Sequence, residues 1–164
     1  MGDPIAMTRM GSKILKTGRN FERKFSAEVY DYERAFVYFS RAATLGHIEA
    51  HHYLGMMYFG RIGVEKDEAK MVHHLKQAAI GGHPISRYLL AGHEQKKGRM
   101  DRAAKHFLIA AKLGHDDALK MVKEYYRLGF VSKEDFAAAL RGYQTAIDAA
   151  KSDQRTQFEE FHTK

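Results

Sequence analysis

Cysteine is absent from these 164 residues. Without a thiol there is no disulfide framework, no thiolate metal site and no cysteine nucleophile, a composition that fits a reducing compartment. Proline occurs only twice and no long polar tract interrupts the chain, so wholesale disorder is not expected. No run of 18 or more apolar residues exists, and nothing is expected to span a bilayer. The opening Met1-Gly2-Asp3-Pro4 has neither a basic stretch nor an apolar core, so it does not read as a signal peptide. The expected location is cytoplasmic or nuclear. What remains is ordinary for a single globular domain: 45% hydrophobic and 29% charged residues. The net charge of +7 would draw acidic proteins, nucleic acid or anionic lipid, or simply keep the protein dissolved.

One phrase occurs three times: Ala42-Ala43-Thr44-Leu45-Gly46-His47, Ala78-Ala79-Ile80-Gly81-Gly82-His83 and Ala110-Ala111-Lys112-Leu113-Gly114-His115. The turn glycines are 36 and then 32 residues apart, a period typical of stacked helical repeats. Paired alanines allow helices to approach closely, and glycine supplies the left-handed residue that ends a helix. Gly2-Asp3-Pro4 aligns with Gly82-His83-Pro84, so the sequence is expected to begin at a repeat boundary, with Asp3 and the turn histidines as N-caps.

This register predicts first helices near 4–18, 48–60, 84–96 and 116–128. Second helices are predicted near 30–44, 67–80, 100–112 and 133–150. Phe39, Leu75 and Phe107 align as core residues, as do Ala35, Met71 and Ala103, and Tyr38, His74 and His106 one place before the first set. Gly11, Gly55 and Ala91 occupy a small-residue seam that Lys123 breaks. An insert at Arg19–Val29 lengthens the first repeat, and insertions of this kind often belong to binding. Ser132 with Glu134 and Asp135 reads as an N-cap and acidic first turn. From Lys151 to Lys164 the pattern lapses, leaving a capping extension or a frayed tail.

The second repeat resembles a Sel1-like repeat, a relative of the tetratricopeptide repeat. It carries Ala50, Leu54-Gly55, Tyr58, Gly60, Gly63-Val64, Asp67, Ala78-Ala79 and Gly82-His83. The third lacks Gly-x-Gly-Val, and the fourth lacks the closing turn. The resemblance implies an all-α, right-handed α-solenoid of about four antiparallel helix pairs with a C-terminal capping helix. It is expected to form one domain over 1–164, with repeats at 3–46, 47–82, 83–114 and 115–150 and an extension at 151–164. It also implies an adaptor and not an enzyme.

Reactive constellations are not evident. Ten histidines are present, but zinc asks for imidazole nitrogens about 2.0–2.1 Å from one ion, and equivalent residues in successive repeats lie roughly 8–10 Å apart at best. The serines lie in no strand–turn–helix elbow, and Gly60-Arg61-Ile62-Gly63 is better explained as a helix-to-helix turn than as a phosphate cradle. No catalytic residue, metal or cofactor is therefore expected.

The tetratricopeptide register implies a concave groove lined by first-helix residues. In this sequence those are Ser12 and Lys16, then His52, Met56 and Phe59, then Tyr88, Gln95 and Lys96, and last Lys120, Glu124 and Arg127. Met56 and Phe59 would be its apolar centre within a cationic rim, as a peptide site is usually built; the competing reading packs both under the neighbouring repeat. The expected partner is a protein or peptide with acidic residues around an apolar anchor. The alternatives are an RNA-binding repeat protein and a structural segment of a longer array; the first is weakened because no base-reading pair recurs in register.

Overall fold

A computed structural model of the chain describes residues 3–20, 28–60 and 62–162. Among them every regular element is helical: α1 Pro4–Asn20, α2 Glu28–Thr44, α3 Ile48–Gly60, α4 Glu68–Ile80, α5 Pro84–Lys96, α6 Met100–Lys112, α7 Asp116–Arg127 and α8 Lys133–His162. The all-α helical-repeat class and nearly all helix limits agree with the sequence register. Of the expected insert, Arg19 and Asn20 finish α1, Glu28 and Val29 begin α2, and 21–27 lie outside the described residues. Beyond Lys151 the chain stays helical as far as His162.

Local chemistry sets these limits. In the first turn Gly46 N–H donates to Ala43 O at 2.9 Å and His47 N–H to Ala42 O at 3.1 Å, the paired bonds of a Schellman motif. His83 N–H to Ala78 O and His115 N–H to Ala110 O repeat it at 3.0 and 3.1 Å. The geometry needs a left-handed residue, and Gly46, Gly82 and Gly114 sit at φ 77°, 89° and 86°. Helices α1, α4 and α8 start on side-chain caps. Asp3 Oδ1 accepts Ile5 N–H, Asp67 Oδ1 accepts Lys70 N–H and Ser132 Oγ accepts Asp135 N–H. Where the third repeat lacks the longer turn, the Arg99 guanidinium grips both carboxylate oxygens of Glu94 instead, which holds that carboxyl below its usual range.

The chain forms two compact units, Met1–Ser86 and Arg87–Lys164. In the first, Ala35, Phe39, Ala42 and Ala43 of α2 are buried with Ala50, Leu54 and Met57 of α3. In the second, Ala103, Phe107, Ala110 and Ala111 of α6 are buried with Ala118, Val122 and Tyr125 of α7 and Ala139 of α8. Burying each large side chain contributes roughly 1.5–3 kcal/mol. The expected core positions 39, 75 and 107 are buried, as are 35, 71 and 103. Tyr38, His74 and His106 are only half-buried, because each stands about 100° around its helix from the inward residue at 39, 75 or 107.

Helices come closest at the seam of small residues. A Cβ on Gly11 would stand 2.7 Å from Phe39, and one on Gly55 would stand 2.7 Å from Leu75 Cδ2 and 2.8 Å from its Cγ. The fourth repeat has no such seam: Lys123 is exposed, and α8 also leans on α6, where Gly142 lies over Lys112 and Ala146 over Gly114. Alanine in place of a helical glycine is favoured by about 1 kcal/mol, whereas overpacking a filled core costs about 1–3 kcal/mol. Gly92 has nothing within 4 Å of its would-be Cβ. Gly92→Ala is therefore predicted to raise the thermal midpoint and Gly55→Ala to lower it, both followed by circular dichroism. Equal stabilisation by the two would disprove the close approach.

Candidate functional site

The turn histidines start helices through their ring nitrogens. His115 Nδ1 accepts Ala118 N–H at 3.1 Å, and His83 Nδ1 accepts Ser86 N–H at 3.2 Å. An accepting Nδ1 carries no proton, which places the ring hydrogen of both on Nε2; that of His83 faces Glu49 Oε1 at 3.9 Å. His47 works differently. Thr8 Oγ1 already donates to Pro4 O, so the 3.0 Å contact between Thr8 Oγ1 and His47 Nδ1 has the histidine donating.

Thr8 stands six residues beyond the glycine of its turn, and His52 and Tyr88 hold the same place in the next two repeats. Each meets the histidine of the following turn. The His52 ring stacks on His83 with centroids 4.2 Å apart, and the Tyr88 ring on His115 at 4.6 Å. Sequence reasoning missed this ladder, although counting six forward from each glycine would have exposed it. His52 and Tyr88, both expected on the groove, thus cover at least one ring face with the next repeat's cap.

Around His52 the network is dense. Ser86, with 0% of its surface exposed, places Oγ 2.9 Å from His52 Nδ1 and 3.2 Å from His83 Nδ1. Desolvation, then the neighbouring His83, pushes the His52 imidazole down to about 4. A second pair ties α3 to α4: His51 Nδ1 and His74 Nδ1 are 3.0 Å apart, a contact in which one nitrogen must carry the proton. Tyr58 stacks on His74 at 5.8 Å, and Lys70 Nζ stands 5.4 Å from the Tyr58 ring centre. Burial, with His51, His73 and Lys70 nearby, holds His74 at about 4, and burial likewise lowers His51.

The other expected groove residues divide by unit. In the first, Ser12 Oγ donates to Arg9 O, Met56 is half-buried and Phe59 is 47% exposed, while the Lys16 side chain lies outside the described residues. In the second, Gln95 is half-buried and Lys96 exposed; Lys120 pairs with Asp117 at 2.7 Å and Arg127 with Glu124 at 2.9 Å. Among the described residues no group of three or more His, Asp or Glu side chains could hold a metal ion. None of the described helices is long and apolar enough to cross a membrane.

Comparison with known proteins follows this geometry closely. The family profile described as Sel1 repeat matches residues 4–47, 48–83 and 87–115, more than half of the chain. No curated protein matches. One similar solved structure is c5321, a protective antigen present in uropathogenic Escherichia coli strains and displaying an SLR fold. It is 25% identical with a TM-score of 0.68, over 90% of this chain and 31% of that one. Another is a Sel1 repeat protein from Oxalobacter formigenes, 23% identical with a TM-score of 0.67, over 89% of this chain and 58% of that one. The chain thus spans about a third and somewhat more than half of these two proteins.

The half-buried imidazoles of His52 and His74 are expected to make the first unit acid-sensitive. An unfolded chain would protonate His52 and His74 near 6.5, whereas the folded protein resists until about 4. Their contribution is complete above about pH 6.5 and is lost as pH falls through about 4. The carboxyls of Asp67, Glu94 and Asp117 are lowered from ordinary values of 3.8, 4.5 and 3.8, so their contribution begins to be lost only as pH falls towards those values. The thermal midpoint is predicted to fall by about 5 °C or more between pH 7 and pH 4.5, and His52→Gln with His74→Gln should flatten the slope. A midpoint constant over that interval would contradict the half-buried, neutral rings.

Proposed function

The chain belongs to the Sel1 repeat family, and from that premise we propose that it is a non-catalytic scaffold that holds a peptide or protein partner on the first helices of its repeats. Sel1 repeat proteins generally mediate protein–protein interaction and are generally non-enzymatic. The observation that carries the residue-level reading is Phe59, a large aromatic left 47% exposed at the end of α3, one helical turn beyond the half-buried Met56. An aromatic of this size gains substantially by desolvation, and such residues anchor interfaces far more often than their numbers would suggest. Met56 beside it adapts to irregular apolar surfaces.

In the second unit, Lys96, Lys120 and Arg127 supply the polar rim of a separate contact, with Gln95 and Glu124 adding hydrogen-bonding capacity. Tyr88 serves that surface from beneath, since its ring stacks on His115 at the start of the helix that carries Lys120 and Arg127, whereas His52 stacks on His83 within the first unit. The same pairing of Lys120 and Arg127 with local carboxylates argues against a surface made for polyanions, because these cations would have to give up Asp117 and Glu124 to meet phosphates.

The test is crosslinking in extracts of the native cell, followed by identification and binding assays with the recovered partner. Phe59→Asp and Met56→Asp are predicted to weaken that partner's binding at least tenfold, roughly the 1.4 kcal/mol of a modest hot spot, while leaving the helical signal unchanged. Undiminished binding by both folded variants would remove the first unit's surface from the reading. Tight, sequence-selective RNA binding at physiological salt would replace it with the nucleic-acid alternative.

A further inference from the structure

We propose that the outer face of α2 is a second docking surface, which takes an extended acidic peptide carrying an apolar side chain between two carboxylates. The face consists of Arg34, Val37, Tyr38 and Arg41, which share an arc of about 100° on the helix. It lies on the side away from Ala35, Phe39 and Ala42, all of them fully buried. Among the described residues these four and Glu33 line a cleft of about 330 Å³.

Its arginines differ from four basic residues elsewhere that already hold a carboxylate. Lys70, Arg99, Lys120 and Arg127 each pair with a carboxylate within five residues. Among the described residues, Arg34 and Arg41 have no such pair. Between them Val37 is 45% exposed, with half-buried Tyr38 beside it. The floor is thus apolar and the two ends are cationic.

Spacing selects the occupant. Seven helical residues separate the two guanidinium-bearing positions by about 10.5 Å along the axis. In an extended peptide, alternate side chains share a face and residues four apart are about 13 Å apart. The flexible arginine stems can close that difference, so Glu-x-Leu-x-Glu sets its leucine over Val37 and one carboxylate at each arginine. Glu33 sits beside the Arg34 end and repels a continuous polyanion, so discrete carboxylates fit better than a phosphate backbone. The surface belongs to the second helix of its hairpin and does not depend on Phe59.

The experiment is fluorescence anisotropy of the intact protein with labelled Glu-Ser-Leu-Ser-Glu and with its Gln-Ser-Leu-Ser-Gln analogue. Saturable binding of the first is expected, at least tenfold tighter than the second. Arg41→Glu and Val37→Asp should each weaken it at least tenfold, and Phe59→Asp should leave it unchanged. Because positions 37 and 41 are exposed, their variants should keep the helical signal; if either loses it, Arg41→Gln and Val37→Ser give the same reading. Equal binding of the two peptides, no binding at millimolar concentration, or no effect of the α2 substitutions would overturn the proposal. Displacement of the peptide by a single-stranded RNA oligonucleotide at lower concentration would do so as well. A loss of native partner in Phe59→Asp alone bears on the first-helix surface and leaves α2 untouched.

Discussion

Six residues, Ala-Ala-x-x-Gly-His, do two jobs at once in each turn. The alanine carbonyls accept the N–H groups that stop one helix, and in the second and third turns the histidine ring satisfies an N–H that opens the next. A helix end carries four backbone groups that its own ladder cannot satisfy, and two consecutive helices would double that need in a short connection. Meeting it locally leaves both flanking helices free to pack tightly, and the alanines of all three turns are buried. The left-handed glycine is the enabling residue, since any side chain there would oppose the turn.

This turn also accounts for three of the ten histidines. Several of the histidines are placed as caps, ring stacks and interhelical hydrogen bonds. Imidazole suits the work because it combines a flat apolar face with an in-plane acceptor, so a single side chain can cap a helix and pack against its neighbour. The consequence is electrostatic: the arrangement needs the neutral ring, and burial enforces it.

Local signals were legible in the sequence, and signals between repeats were not. Helix limits came out nearly correct because glycine, aspartate and serine caps act within a few residues of where they stand. The seam at Gly11 and Gly55 was readable because only a missing side chain permits such an approach. The length of α8 was harder: without a closing glycine turn nothing marks its end, and Ala, Gln, Glu and Lys let a helix run on. Of the expected surface residues, His52 and Tyr88 could not be judged from one hairpin, because what covers them comes from the next turn. The cleft on α2 was obscured by the repeat alignment itself, which grouped Tyr38 with His74 and His106.

The six-residue offset between a turn glycine and the ring beneath the following cap also bears on how such chains can be recombined. Cut at its glycines, one segment would leave with its own histidine but without the Thr8, His52 or Tyr88 that supports it. The transferable module is therefore a hairpin together with the turn that follows it. Grafts made on that frame would keep every cap seated, whereas cassettes of equal length started at the glycine would join mismatched rings at each junction.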